Sequence, residues 1–293
     1  MSEIKNLNWY DENYKKFLLF PMILLVLSLF QLGYSYYETG HILERDITLT
    51  GGTSITVFYE KEINIKEFSS FLNGKIKDFE LREISDFRSG RQKAVIIETI
   101  SSAEETKKVI EDFFGYKLNN ENSSIESTGS SLGESFYKQL VYAVILSFIL
   151  MSIVVFFIFR SKIPSLAVII SAFADIVMTL AVLNILEIKL SSAGVTAILM
   201  LIGYSVDTDI LLTTRMLKRG GDNQDNLKTA FKTGITMTLT AIAAIAAALI
   251  FTHSISNVLN QIFSILLIGL FFDIINTWIT NVIILKWYLE ERK

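Results

Sequence analysis

The stretch LMLIGYSVDTDILLTTR, Leu199 to Arg215, decides how the rest of the chain reads. It sets two carboxylates, Asp207 and Asp209, inside an apolar run long enough to lie in a membrane. A charged side chain at bilayer depth costs at least ~2.5–3.5 kcal/mol, so such groups usually face a bundle interior and mark an ion path or a relay. The run therefore predicts a membrane protein that handles protons or ions, or one that switches conformation through buried charge.

Composition points the same way. Of 293 residues, 51% are hydrophobic and only 19% charged, too few to coat a soluble protein of this size, and mean hydropathy is +0.43. A net charge of −3 gives no reason to expect nucleic acid as a partner. The chain has no cysteine, which excludes disulfides, thiolate catalysis and thiolate metal sites. His41 and His253 stand too far apart for a metal-ligand spacing, so no metal is expected. No GxxxxGK[ST] string is present, which argues against ATP as the direct fuel. No cofactor and no catalytic constellation is read from the chain, and an enzyme is not expected.

Spanning the hydrocarbon takes ~20 mostly apolar residues in a helix. Six segments qualify: Phe17–Tyr36, Gln139–Phe159, Ile163–Leu186, Leu190–Thr213, Thr233–Thr252 and about Gln261–Leu285. The first is longer than a signal-peptide core and lacks a small-x-small cleavage pattern, so it reads as a retained helix. Lys5, Lys15 and Lys16 precede it; Arg160, Lys162, Arg215, Lys218, Arg219, Lys228 and Lys232 fill alternate short connectors, and Lys286, Arg292 and Lys293 follow the last helix. This bias predicts both termini in the cytoplasm and the long polar segment outside. The expected order is residues 1–16 cytoplasmic, 17–37 first helix, 38–135 extracytoplasmic domain, 136–287 five-helix bundle and 288–293 cytoplasmic.

The outer segment reads as strands and helices in the order βαββαβ, the ferredoxin-like α+β arrangement. Ile47–Glu60 alternates around Gly51-Gly52 as a strand with a break would. Asn64-Ile-Lys-Glu67 opens a helix, and Ser102-Ala-Glu-Glu105 opens a second that ends at Gly115. Phe79–Phe87 and Lys93–Ile100 are strand-like around the turn Arg88–Arg91, and Ser123–Ser127 fits a last strand.

Asp175 and Asp273 fall near the middle of their helices, while Asp207 and Asp209 lie toward the cytoplasmic side. Two residues apart is about 200° around a helix, so Asp207 and Asp209 point to different faces. Ser205, Thr208, Thr213 and Thr214 lie near them, Thr236, Thr238 and Thr240 lie on the fifth helix, and Asn276, Thr277, Thr280 and Asn281 follow Asp273. Such hydroxyls and amides bridge a proton path or simply join helices, and a buried Asp also serves as a protonated packing partner. Trp9, Trp278, Trp287 and Tyr288 read as interface or packing aromatics, and Arg215 as a topological anchor. The run AIAAIAAA, Ala241 to Ala248, offers a small-residue face for close helix approach.

Gly203-Tyr204-Ser205-Val206-Asp207-Thr208-Asp209, followed by Arg215, resembles the fourth-helix signature of the SecF family of protein-export membrane subunits, within the resistance-nodulation-division superfamily. Gly51-Gly52-Thr53 after the first helix resembles that family's GGT motif, and the run from Ser127 through Gly129 to Gly133 sits where bacterial members carry a VGPxxG-like motif. Bacterial members read close to GYSINDTVVVFDR on the fourth helix. Here Asp207, Thr208 and Asp209 replace the Asn, Asp and Thr, and Thr214 replaces the Asp before the Arg, a pattern similar to archaeal members. Lys232 is the nearest counterpart of a bacterial fifth-helix Arg.

The resemblance implies a multi-pass subunit of the cell membrane. It would act with SecD and the SecYEG channel on exported polypeptides, in contact with membrane lipids, and draw on the proton gradient. The relay candidates are Asp207, Asp209, Asp175 and Asp273, supported by Thr208, Thr214, Arg215, Lys232 and Asn276. The alternatives are a proton-driven half-transporter that exports a small lipid or drug, and an assembly factor whose carboxylates only hydrogen-bond helices.

Overall fold

The computed structural model describes residues 14–59, 63–85, 91–217, 223–252 and 256–291. Six helices in it are long and apolar enough to cross a membrane: Tyr14–Thr39, Leu132–Phe159, Lys162–Ile185, Ser192–Leu217, Asp225–Thr252 and Val258–Glu290. Each coincides with one of the six apolar runs. We name the regular elements α1 (Leu19–Thr39), α2 (Ile47–Thr50), β1 (Gly52–Phe58), α3 (Ile65–Leu72), β2 (Phe79–Ser85), β3 (Gln92–Thr99), α4 (Ala103–Phe114), β4 (Ser123–Thr128) and α5 (Ser130–Phe159). The remainder are α6 (Lys162–Ile185), α7 (Ser192–Leu217), α8 (Asn223–Thr252), α9 (Asn257–Ile275), a π-helical segment (Asn276–Asn281) and α10 (Val282–Glu290).

The four strands form one antiparallel sheet in the order β2-β3-β1-β4. Along β1 the pleat sends Thr53, Ile55 and Val57 inward and the alternate residues outward. Ile55, Val57, Val95 and Ile97 pack with Phe68 and Leu72 of α3 and Ile110 of α4 into one apolar core. Phe68 is fully buried, its ring centroid 4.6 Å from that of Phe113. Local chemistry sets both helix starts. Asn64 accepts from the N–H groups of Lys66 (3.1 Å) and Glu67 (3.4 Å), and Ser102 from that of Glu105 (3.4 Å), so each satisfies first-turn donors. Gly115, with φ 72°, closes α4 in the left-handed conformation.

The structure corrects the expected strand Ile47–Glu60. Its first part is the helical turn α2, and only Gly52–Phe58 is strand. The side chain of Asp46 caps α2 by accepting from the Ile47 N–H at 2.5 Å, and Leu49 is fully buried in a cluster with Leu183 of α6, Ile198 of α7 and Leu190 of the loop between them. A cap and a pocket for Leu49 outweigh the β-preference of Ile47, Thr48 and Thr50. Gly51 (φ 81°) and Gly52 (φ 149°) then turn the chain into β1. The turn residues Arg88, Ser89 and Gly90 lie outside the described residues, as do Trp9, Lys218, Arg219 and His253.

In the membrane part, α6 and α7 form an antiparallel hairpin at the centre and are mostly buried, with α9 packed across both. Most residues of α1, α5 and α8 lie open, with Leu27, Phe30, Phe157 and Phe251 more than half exposed. Apolar faces of this kind suit lipid tails or a partner's helices.

Candidate functional site

Three carboxylates from three helices share the membrane core. Asp175 of α6, Asp209 of α7 and Asp273 of α9 are each fully buried. The Asp175 carboxylate accepts from the Ser205 hydroxyl (2.6 Å) and the Asn276 amide (2.7 Å). Oδ1 of Asp209 accepts from Asn281 (2.8 Å), Thr277 (2.9 Å) and Ser171 (3.3 Å). Oδ1 of Asp273 accepts from the Thr277 hydroxyl at 3.1 Å, and the Ser205 hydroxyl bonded to Asp175 also lies beside this carboxylate. Oδ2 of Asp209 and Oδ2 of Asp273 are buried and have no hydrogen-bond partner among the described residues. The described residues include no buried Lys, Arg or His, and none forms an ion pair with these acids.

Helix geometry explains how residues remote in sequence meet. Ser171 lies four residues before Asp175, on the same face of α6. Across the hairpin, Ser171 meets Asp209 and Asp175 meets Ser205, as antiparallel neighbours should. The last membrane helix contributes through its π segment. Hydrogen bonding from i to i+5 puts more than four residues in each turn, so positions four apart come nearly into line. Asp273, Thr277 and Asn281 are four apart and all reach the cluster, as does Asn276, whose Oδ1 accepts from Thr280 at 3.2 Å. Gly234 of α8 makes room beside this segment: a Cβ there would stand 2.5 Å from the Trp278 ring.

The remaining candidates sit elsewhere. Asp207 is exposed on the opposite side of α7, in line with the exposed Gly203 and Tyr204. Thr208 is buried but its hydroxyl donates back to the Tyr204 carbonyl at 3.3 Å. Thr214, Arg215 and Lys232 are exposed and do not join the cluster. Thr236 and Thr240 bond their own helix backbone. Sequence reading missed Ser171, whose only signal was its position one turn from Asp175.

The two glycine motifs meet at the junction of sheet and membrane helices. A Cβ on Gly133 would lie 2.6 Å from the Gly51 nitrogen, so α5 runs directly against the α2–β1 corner. One on Gly52 would lie 2.6 Å from the Thr99 carbonyl oxygen, and the buried Thr53 hydroxyl donates to the Ser101 carbonyl at 2.9 Å. Gly129 precedes α5 in open space.

The loop between α6 and α7 is held at this same junction. Its Leu190 N–H donates to the Glu44 carbonyl (2.7 Å), and the Asp46 N–H donates to the Leu190 carbonyl (2.9 Å). Lys189 donates to the Glu80 carboxylate on β2, and Gln261 of α9 binds the Lys189 carbonyl and the Ser191 hydroxyl. Arg82 pairs with Glu80 at 3.1 Å and with Glu98 at 3.4 Å, beside a cleft of about 430 Å³. Burial pushes the Asp46 and Glu98 carboxyls up; the Ile47 N–H pulls Asp46 back in part, and the Asp46 charge adds to the rise at Glu98. At Glu80 burial works the same way, but the Lys189 hydrogen bond and the Arg82 guanidinium outweigh it and hold the group below its ordinary range.

Fold and site together define a multi-pass membrane protein with an acid cluster closed inside its helices and one sheet-containing domain after its first helix. The model of the family described as protein export membrane protein SecD/SecF, C-terminal, matches residues 108–291. The protein-export membrane protein SecF of Methanocaldococcus jannaschii is 38% identical over 96% of this chain and 97% of its own length. That of Methanolacinia petrolearia is 35% identical over 98% and 97%. The chain belongs to the SecF family of protein-export membrane proteins. Its fold matches the crystal structure of SecDF, a translocon-associated membrane protein from Thermus thermophilus, with a TM-score of 0.71 at 18% identity over 95% of this chain. The chain spans 38% of the length of that longer protein.

Proposed function

We propose that this chain serves as the SecF-type half of an export motor. It acts beside a SecD-type partner and a SecYEG-type channel to promote passage of polypeptides across the cell membrane. Family membership and the likeness to the longer SecDF chain support the pairing. In this reading both termini are cytoplasmic, and the domain after α1, of the ferredoxin-like class, lies outside. The Lys and Arg of the short connectors support that orientation. The βαββαβ order and the strand order β2-β3-β1-β4 support the class. The open face of α7 with Asp207 and Tyr204 meets the partner.

The drive is the proton gradient, taken up at Asp175, Asp209 and Asp273. The cluster itself carries this reading: three fully buried acids share one core, with no buried Lys, Arg or His among the described residues. Like charges in such a site cannot all be ionised, so the number of protons held depends on how the helices pack. One elementary charge moved through 100 mV is worth ~2.3 kcal/mol, enough to bias two packings that differ by a few kcal/mol. The α6–α7 loop carries any shift to the outer domain through Lys189, Leu190 and Glu80.

The test is export of a reporter protein in cells carrying Asp175→Asn, Asp209→Asn, Asp273→Asn or Asp207→Asn, with partner association checked by pull-down. Loss of export in the first three with the complex intact is the expected result. Full export in all of them would mean that the acids only pack helices, and the drive would have to lie elsewhere.

A further inference from the structure

Thr277 has one hydroxyl proton and lies within hydrogen-bond reach of two carboxylates, Asp209 Oδ1 at 2.9 Å and Asp273 Oδ1 at 3.1 Å. A hydroxyl donates only one hydrogen bond. Both contacts are favourable together only when one of the two acids carries a proton and donates it to Thr277 Oγ1. The partners decide which acid that is. Asp209 Oδ1 receives three donors, from Asn281, Thr277 and Ser171, and Asp175 receives two, from Ser205 and Asn276. Asp273 accepts from Thr277 at 3.1 Å and otherwise has only the neighbouring Ser205 hydroxyl, whose short bond goes to Asp175, while its Oδ2 is buried without a hydrogen-bond partner among the described residues. A fully buried carboxylate with so little hydrogen bonding is better accommodated as the neutral acid.

We propose that Thr277 is a positioning and relay residue that passes a proton between Asp273 and Asp209; this rests on the proton-driven reading above. The Asp273 Oδ1–H bond breaks as that proton joins Thr277 Oγ1. The Thr277 O–H bond breaks as its own proton joins Asp209 Oδ1. One proton has moved from Asp273 to Asp209, and the hydroxyl is restored. Thr277 lies four residues after Asp273, on the same helical face, and its hydroxyl also reaches Asp209 of α7. Facing this hydroxyl, α6 offers Asp175 and α7 offers Asp209; among the described residues α1, α5, α8 and α10 add no buried carboxylate, Lys, Arg or His.

The experiment compares Thr277→Val, which keeps the shape and removes the hydroxyl, with Thr277→Ser, which keeps the hydroxyl, in cells that also carry the partner subunit. Export rate is read against external pH, with Asp209→Asn and Asp273→Asn as references. The expected result is a loss of at least ~tenfold in T277V and a flattened pH profile, as removal of a proton-transfer group gives. T277S should stay within ~twofold of the parent with its pH profile kept. If T277V exports and responds to pH like the parent while the two Asn variants fail, the relay role of Thr277 is overturned and the proton-driven reading stands. If the Asn variants also export normally, that underlying reading has failed first. Should T277V not accumulate, Thr277→Cys takes its place, since it matches Ser in shape but donates a far weaker hydrogen bond. The parent chain has no cysteine, so the new thiol can be followed by labelling. Equal export from the Cys and Ser variants would then overturn the proposal.

Discussion

Replacing Gly133 by Ala tests the close junction between α5 and the α2–β1 corner. The added Cβ would stand 2.6 Å from the Gly51 nitrogen and 3.0 Å from the Thr50 carbonyl carbon. Both obstacles are backbone, so no side-chain rotation relieves them. Overpacking of this kind costs about 1–3 kcal/mol, and a fixed backbone puts the cost near the upper end. Ala in place of Gly inside a helix returns about 1 kcal/mol. The net loss is therefore about 2 kcal/mol, a fall of roughly 4–8 °C in melting temperature for a chain of this size. Thermal unfolding of the purified chain in detergent, followed by circular dichroism, measures it. Gly203→Ala is the control: Gly203 is also inside a helix, but a Cβ there meets nothing within 4 Å. It should melt at or slightly above the parent. If Gly133→Ala melts no lower than Gly203→Ala, the reasoning from close approach is refuted.

Other substitutions probe the remaining contacts. Asn281→Leu removes a donor at 2.8 Å from Asp209 and should destabilise the membrane helices by about 1–3 kcal/mol, seen as a lower detergent melting point. Phe68→Ala empties the centre of the sheet domain and should cost it about 3–5 kcal/mol, read by proteolysis confined to residues of that domain. The Glu80 carboxyl sits below its ordinary range, so its contribution is present above pH 4.5 and lost as pH falls through its folded-state value. Acidification should therefore loosen the Lys189–Glu80 contact and raise hydrogen exchange in the α6–α7 loop, and Glu80→Gln should abolish that response. Glu98 is shifted the other way, so its contribution is present below pH 4.5 and lost as pH rises through its folded-state value. Glu98→Gln should then stabilise the chain at pH 7 by less than about 1 kcal/mol, a gain that vanishes in acid.

The six membrane helices were legible because each is a run of ~20 apolar residues, the strongest signal a sequence carries. Both helices of the sheet domain announced their starts through Asn64 and Ser102, whose caps are local chemistry. The α2 turn was not legible as a helix. Its residues are β-branched, and the pocket that receives Leu49 is built by Leu183, Leu190 and Ile198, far along the chain. Helical period told that Asp207 and Asp209 face apart, but not which of them faces inward. That depends on where α6 and α9 pack, which local sequence does not encode. The π segment was hidden for the same reason. Its register is supported from outside, by the space at Gly234 for Trp278 and by Asp175 and Asp209 as acceptors for Asn276 and Asn281.

The hairpin of α6 and α7 links the acid cluster to the sheet domain. The pairs Ser171–Asp209 and Asp175–Ser205 are both centred on position 190, which is the residue bonded to Glu44 and Asp46. The tip of the hairpin is thus clasped by the segment that leads into the sheet, and Lys189 reaches β2 beside it. Sliding α6 along α7 changes the register of the two acid–hydroxyl pairs, and it cannot do so without moving the tip. A well-packed interior resists continuous deformation, so such a slide proceeds between discrete packings. In the proposed proton-driven reading, a change of charge among Asp175, Asp209 and Asp273 alters which packing is favoured, and the clasped tip delivers that choice to the sheet.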